Sequence, residues 1–206
     1  MILRMKDWFY YLSQFCVRNF ARLVYGLDVH DAHKVPPANG QGLVLVSNHV
    51  SVMDPPILGS SMPRIIDYMA KKELFEGSYW FRTLILGLHA FPIDREGNAM
   101  GGIKEAIRRT RAGVAIGVFI QGTRNAGDAE ALEGAAFIAQ RAAVPLQPAA
   151  IWREGRRFHV RFGEPIMPLG KSREESKALT KELAKQISEL EMLSPEVTSG
   201  TKEPRF

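Results

Sequence analysis

The feature that most constrains the fold of this chain is a regular alternation of short apolar runs with longer amphipathic runs. Strand-like runs occur at residues 42–46, 65–70, 90–93, 114–120, 145–151 and 157–162. Helix-like runs occur at residues 55–61, 79–86, 99–111, 132–142 and 173–192. Such alternation predicts an α/β fold in which helices flank a mostly parallel central sheet. The short turn at residues 153–156 predicts that the last two strands pair as an antiparallel hairpin.

The length of 206 residues, of which 46% are hydrophobic, suits one domain with a full core. We expect an N-terminal helix over residues 1–26, one domain over 27–193 and a flexible polar tail over 194–206. The single cysteine, Cys16, excludes an intrachain disulfide and a multi-cysteine metal site. Because Cys16 lies in an apolar helical pattern, we expect a buried and inert thiol.

The N-terminal segment predicts an amphipathic helix over about residues 3–25. Its apolar stripe consists of Trp8, Leu12, Phe15, Cys16, Phe20, Leu23 and Leu27. The helix either docks on the core or lies in the headgroup region of a membrane, with its arginines on anionic lipid. The density of aromatic residues and the net charge of +5 favour the membrane. Because no segment offers the roughly 20 apolar residues that a membrane span needs, we expect a peripheral or monotopic protein on the cytoplasmic face of an anionic membrane.

A polar run at residues 47–55 follows the first predicted strand and contains His49 and Asp54. Open α/β sheets place their chemistry at the carboxyl ends of the strands. Histidine can take and return a proton near neutral pH. An aspartate at this spacing can hold the imidazole in one tautomer and stabilise its cation. The alternative is an ordinary turn, in which Asp54 caps a helix that begins at Pro55.

Two further polar clusters directly follow predicted strands. Residues 94–97 contain Arg95, and residues 121–125 contain Gly122, Thr123 and Arg124. Arginine is a bidentate donor to phosphate, and a glycine lets a backbone N–H approach an anion closely. We therefore expect an anion site at the sheet edge that carries the His/Asp pair.

Four ordered blocks carry a resemblance to a known family. Residues 48–55 match N-H-x-S-x-x-D-P, residues 91–95 end in an arginine as the second block does, residues 119–124 resemble F-P-E-G-T-R, and residues 144–149 resemble V-P-φ-φ-P-φ. The chain resembles the phospholipid/glycerol acyltransferase family, typified by 1-acylglycerol-3-phosphate acyltransferases, from about residue 27 to residue 168.

The resemblance implies an O-acyltransferase that acts on a lysophospholipid, above all 1-acylglycerol-3-phosphate, to give phosphatidic acid. His49 would be the general base and Asp54 would orient it. The acyl donor would be acyl-CoA or acyl carrier protein, with no metal or other cofactor. The expected substrate-binding residues are Arg95, Gln121, Gly122, Thr123, Arg124 and Lys72. No nucleic-acid partner is expected, since the positive charge forms no run and no nucleic-acid motif is present.

Departures from the family pattern leave other functions open. Gln121 stands where the family has glutamate, and Gln147 interrupts the fourth block. The acceptor could therefore be another lysolipid, such as a lyso-aminolipid, or the chain could be a lipid-binding relative without activity. A serine hydrolase that uses Ser51 would lack the usual glycine-flanked serine. His89 lies in an apolar run and is predicted to be structural.

Overall fold

The computed structural model of this protein describes residues 5–49, 51–93, 99–120 and 126–192. Within these residues the α-helices are α1 (Met5–Phe20), α2 (Asp54–Ser61), α3 (Tyr79–Gly87), α4 (Ala99–Arg111), α5 (Ala126–Ala142) and α6 (Arg173–Met192). The strands are β1 (Leu27–His30), β2 (Leu43–Asn48), β3 (Ile66–Lys71), β4 (Phe91–Ile93), β5 (Ala115–Ile120), β6 (Leu146–Glu154) and β7 (Arg157–Phe162). A π-helical turn at Ala21–Tyr25 extends α1, and 3₁₀ turns occupy Ala32–Lys34 and Lys72–Phe75.

The described strands form a seven-stranded sheet in the order β1-β7-β6-β2-β5-β3-β4. Strands β2 to β6 are mutually parallel, whereas β7 is antiparallel to β6 and parallel to β1. The predicted α/β fold and the β6–β7 hairpin are thus confirmed. Strand β1 was not predicted, since Asp28 and His30 interrupt its apolar pattern. It is defined by its pairing with β7, in which Val29 lies opposite Val160.

The core consists of two apolar layers, one on each face of the sheet. Val44 and Val46 of β2 pack with α4, α5 and α6, while Leu43 and Leu45 pack with α1 and α2. All six residues of β2 are buried, as is typical of a parallel strand covered on both faces. The end of β2 is therefore held in the middle of the core.

The N-terminal helix docks on α2 through polar and aromatic side chains, with its predicted stripe outward. Tyr10 is buried, and the Gln14 side-chain amide donates to the carbonyl oxygens of Gly59 at 2.8 Å and Met62 at 2.9 Å. The predicted stripe remains exposed: the exposed fraction is 59% for Trp8 and 66% for Phe15.

Cys16 is exposed, so the prediction of a buried thiol is wrong. The cause is the helix orientation, because Cys16 shares the outward stripe and the opposite face carries the docking residues. Leu27, which was predicted to belong to this stripe, is instead buried in β1. None of the described helices is long and apolar enough to cross a membrane. The predicted tail at residues 194–206 lies outside the described residues.

Candidate active site

The side chain of Asn48 anchors the end of β2, because it makes the two hydrogen bonds that a backbone amide would make in a sheet. The Asn48 amide donates to the carbonyl oxygen of Ile151 at 2.9 Å, and the Ile151 N–H donates to Asn48 Oδ1 at 2.8 Å. These two bonds continue the β2–β6 ladder, whose last backbone register pair is Ser47 with Ala149. Since Asn48 is buried, both bonds lie away from water. The backbone position from which the next residue, His49, projects is therefore fixed.

His49 and Asp54 form the pair that the sequence predicted. His49 Nδ1 lies 2.9 Å from Asp54 Oδ2, and the Ser51 backbone N–H donates to the same oxygen at 2.7 Å. The Asp54 side chain is fully buried, whereas 30% of the His49 side chain is exposed. A carboxylate acceptor requires the imidazole proton on Nδ1, so Nε2 keeps the lone pair that a general base needs.

The alternative role of Asp54 as a helix cap is wrong. Helix α2 begins at Asp54 itself, its N-cap residue is Met53, and no side chain caps it. The Asp54 carboxylate is directed backward, to His49 and to the Ser51 N–H. Its hydrogen bonds thus order the loop that carries His49.

An aromatic wall, which the sequence analysis did not identify, borders the imidazole. The ring centroid of Phe119 lies 4.7 Å from that of His49, and the Phe119 ring stacks on Tyr68 at 5.5 Å. Gly117 makes room for this stack, because a Cβ at that position would lie 2.5 Å from the Tyr68 ring. Burial raises the pKa of Tyr68 well above its ordinary value, so the phenol stays neutral. A glycine in the middle of a buried strand was the available signal for this close approach.

The strands that precede the predicted anion-binding clusters end at the edge that carries His49. In the sheet register Asn48 lies opposite Ile120, the last residue of β5, and Lys71 of β3 lies opposite Ile93 of β4. The predicted residues that continue from β4 and β5 lie outside the described residues; they are Arg95, Gln121, Gly122, Thr123 and Arg124. Lys72 directly follows β3, is exposed, and places its ammonium 3.7 Å from Glu76.

Two other polar residues named in the sequence analysis, Gln147 and His89, contact other parts of the fold. Gln147 is fully buried and donates to the Gly163 carbonyl oxygen at 2.7 Å, so its amide bridges two backbone segments. His89 Nδ1 lies 3.1 Å from Asp67 Oδ1, and its ring packs edge-on against Tyr10. His89 therefore contacts a different aspartate from His49, and its structural role stays a prediction. The described residues contain no group of three or more His, Cys, Asp or Glu side chains able to hold a metal ion.

An α/β sheet with a buried aspartate behind a partly exposed histidine defines a protein equipped for general-base chemistry at the carboxyl ends of its strands. A model of the family described as Acyltransferase matches residues 26–152, and the chain belongs to this family. It is 33% identical over 180 residues to the 1-acyl-sn-glycerol-3-phosphate acyltransferase of Bacillus subtilis (strain 168), covering 81% of this chain and 88% of that protein.

A solved structure shares the fold. It is the crystal structure of the 1-acyl-sn-glycerophosphate (LPA) acyltransferase PlsC from Thermotoga maritima, with a TM-score of 0.64 and 23% sequence identity. The match covers 93% of this chain and 84% of that chain. It therefore extends beyond the family match into α1 and α6.

Proposed function

We propose that this protein is an O-acyltransferase that moves a fatty acyl group from an acyl thioester to the free hydroxyl of 1-acylglycerol-3-phosphate, which gives phosphatidic acid. The observation that carries the proposal is the hydrogen bond between His49 Nδ1 and the buried Asp54 carboxylate at 2.9 Å. Membership of the Acyltransferase family and the printed name of the Bacillus subtilis relative support the reaction and the acceptor.

The reaction uses His49 twice. Nε2 removes the proton from the acceptor hydroxyl while that oxygen attacks the thioester carbonyl carbon. The tetrahedral intermediate then collapses, its C–S bond breaks, and the imidazolium returns the proton to the departing thiolate. Asp54 stabilises the imidazolium between these steps. The acceptor supplies the nucleophile, so the reaction needs no covalent acyl-enzyme, metal or other cofactor.

Recognition of the acceptor phosphate is assigned to Arg95 and Arg124, as a pair of bidentate donors. Gly122 and Thr123 would supply backbone and hydroxyl donors beside Arg124, with Gln121 and Lys72 at the margin of the site. The order of the strands supports this assignment, because β4 and β5 end at the edge where His49 lies. Acyl-CoA and acyl carrier protein both provide the required thioester and both remain candidate donors.

The outward face of α1 supports a peripheral position on an anionic membrane, and we assign the protein to its cytoplasmic side. Trp8, Phe15 and Phe20 expose more than half of their surface, which is costly in water and favourable in the headgroup region. Arg18 and Arg22 provide cations for anionic lipid. The helix would thus hold the enzyme where its lipid acceptor is located.

The catalytic proposal is tested with purified protein, detergent-dispersed 1-acylglycerol-3-phosphate and acyl-CoA, by following the release of free thiol. His49→Ala should lower turnover by about 10²–10⁴-fold. His33, an exposed histidine in the first 3₁₀ turn, offers the matched control, and His33→Ala should leave turnover unchanged. Near-normal turnover by folded His49→Ala would contradict the mechanism.

The acceptor is tested separately with competing lysolipids. Arg95→Ala and Arg124→Ala should each weaken use of a phosphomonoester acceptor by about 10–100-fold, because each removes a charge-assisted hydrogen bond of about 1.5–3 kcal/mol. The KM for the acyl donor should change little. If a lyso-aminolipid without a phosphomonoester is the better acceptor and the arginine variants use it normally, the proposed acceptor is wrong.

A further inference from the structure

The exposed large apolar side chains of the described residues are concentrated in three segments. The first is α1 with its π-helical turn, the second is the loop between His49 and α2, and the third is the 3₁₀ turn at Lys72–Phe75 with α3. The residues concerned are Trp8, Phe9, Tyr11, Leu12, Phe15, Phe20, Leu23, Val24, Val52, Met53, Leu74, Tyr79, Trp80, Phe81, Leu84 and Leu86.

Helix α3 is the least expected of these segments. It contains no buried residue, although Arg82 is its only charged side chain. The exposed fraction is 72% for Tyr79 and 79% for Trp80. A helix that is apolar on all sides is normally enclosed by protein or lipid. The described residues of this chain therefore leave the apolar surface of α3 unburied, and a partner outside them is needed to cover it.

Helices α1 and α3 form one joint surface, and α3 follows a strand that ends at the sheet edge of the catalytic pair. The Phe9 ring of α1 packs directly on Gly87 of α3, where a Cβ would lie 2.5 Å from that ring. The 3₁₀ turn at Lys72–Phe75 and then α3 follow β3 at the sheet edge that carries His49. Val52, in the loop after His49, is 90% exposed. The joint surface, which we call the α1–α3 surface, thus connects the N-terminal helix with an element that leaves this sheet edge.

We propose that α3 is a second membrane-inserting helix, which together with α1 places the sheet edge that carries His49 on an anionic bilayer. The proposal rests on the proposed function, because a bilayer that covers this surface delivers a lipid acceptor to His49, whereas a second protein copy would block the entrance. Tyrosine and tryptophan favour the membrane interface over water. Along residues 71–87 the cations outnumber the acids, with Lys71, Lys72 and Arg82 against Glu73 and Glu76. Anionic lipid is therefore the complementary partner.

The test uses the tryptophans of the chain as local probes. Trp8→Phe leaves Trp80 together with Trp152, which is 8% exposed and stacked on His159. With vesicles of phosphatidylglycerol and phosphatidylcholine, this variant should show a blue shift in emission and quenching by brominated lipid. The double variant Trp8→Phe/Trp80→Phe should show neither, because Trp152 stays inside the protein.

A binding measurement gives the size of the effect. Trp80→Ser should weaken vesicle binding about tenfold or more, since burial of a large apolar side chain contributes about 1.5–3 kcal/mol. Leu169→Ser is the matched control, because Leu169 is 94% exposed in the loop before α6, and it should bind vesicles normally. Trp80→Ser should retain turnover on a short-chain, water-soluble acceptor.

Each other outcome has a defined meaning. If Trp8→Phe sediments with vesicles while its emission neither shifts nor is quenched, α3 does not insert and the proposal is overturned. If the emission shift appears without lipid and grows with protein concentration, the cover is a second copy and the proposal is equally overturned. If the unmodified protein acylates neither the soluble acceptor nor detergent-dispersed 1-acylglycerol-3-phosphate, the proposed function is wrong, while the vesicle measurements still decide the role of α3.

Discussion

Replacement of Asp54 by asparagine tests the geometry of the catalytic pair most directly. In the structure, one carboxylate oxygen accepts from both His49 Nδ1 and the Ser51 N–H. Both bonds use the same oxygen position, so an asparagine must place either its oxygen or its NH₂ group there. With the NH₂ group there, the Ser51 bond is lost and the group donates to His49, which forces the imidazole proton from Nδ1 to Nε2. With the oxygen there, both bonds remain, but the negative charge that stabilises the imidazolium is lost. Either placement impairs the proposed base.

The expected loss in turnover is about 10²–10⁴-fold, which corresponds to roughly 3–5 kcal/mol of transition-state free energy. The loss of stability should be smaller, below about 3 kcal/mol, because the substitution is nearly isosteric and weakens charge-assisted hydrogen bonds without leaving a cavity. The assay is thiol release, with the melting temperature measured on the same preparation. The double variant His49→Ala/Asp54→Asn should be no slower than His49→Ala, since the two residues act as a unit.

Two results would refute this reasoning. One is a folded Asp54→Asn protein whose turnover stays within about threefold of the original, which would mean that neither the tautomer nor the charge of Asp54 limits the reaction. The other is a double variant whose loss is the product of the two single losses. In that case Asp54 would contribute to catalysis independently of the imidazole.

Three further predictions follow from other contacts. Asn48→Ala should lower the free energy of unfolding by about 1–3 kcal/mol for each backbone group of Ile151 left unpaired, measured by urea denaturation; an unchanged midpoint would contradict the anchoring role of Asn48. Hydrogen bonds from Arg108, followed by those from Arg109, lower the pKa of Glu105 to about 2, so its stabilising effect is present above the ordinary value and is lost as the pH falls toward 2. The melting temperature of Glu105→Gln should accordingly lie below that of the original protein by its full amount above pH ~4.5, and the difference should shrink below that pH. A difference that does not depend on pH would show that the ion pairs with Arg108 and Arg109 are not its cause. Cys16, being exposed, should react with a thiol reagent in the native protein and be protected by anionic vesicles, whereas reaction only after denaturation would contradict the orientation of α1.

Local pattern predicted those parts of the fold that depend on neighbouring residues. Leu179, Leu183, Ile187 and Leu190 recur at helical spacing in the predicted run 173–192, and all four are buried in α6. Helices α4 and α6 have the predicted bounds. His49 and Asp54 could be paired from sequence because only five positions separate them, at the end of an apolar strand. These features follow from helix and strand periodicity, which can be read from a segment of five to ten residues without knowledge of the rest of the chain.

The aromatic wall and the anchor of the base needed the folded chain. Asn48 binds Ile151 across 103 positions of sequence, and Phe119 reaches His49 because β5 lies beside β2. The sequence by itself determined that the chain is an α/β protein with a His/Asp pair and an amphipathic N-terminal helix. Only the tertiary structure decided that Cys16 faces outward, that Asp54 orders the loop instead of capping α2, and that α3 extends the exposed apolar surface. The physical reason is that periodicity reveals which face of an element is apolar, whereas the partner that covers that face is chosen by contacts between distant parts of the chain.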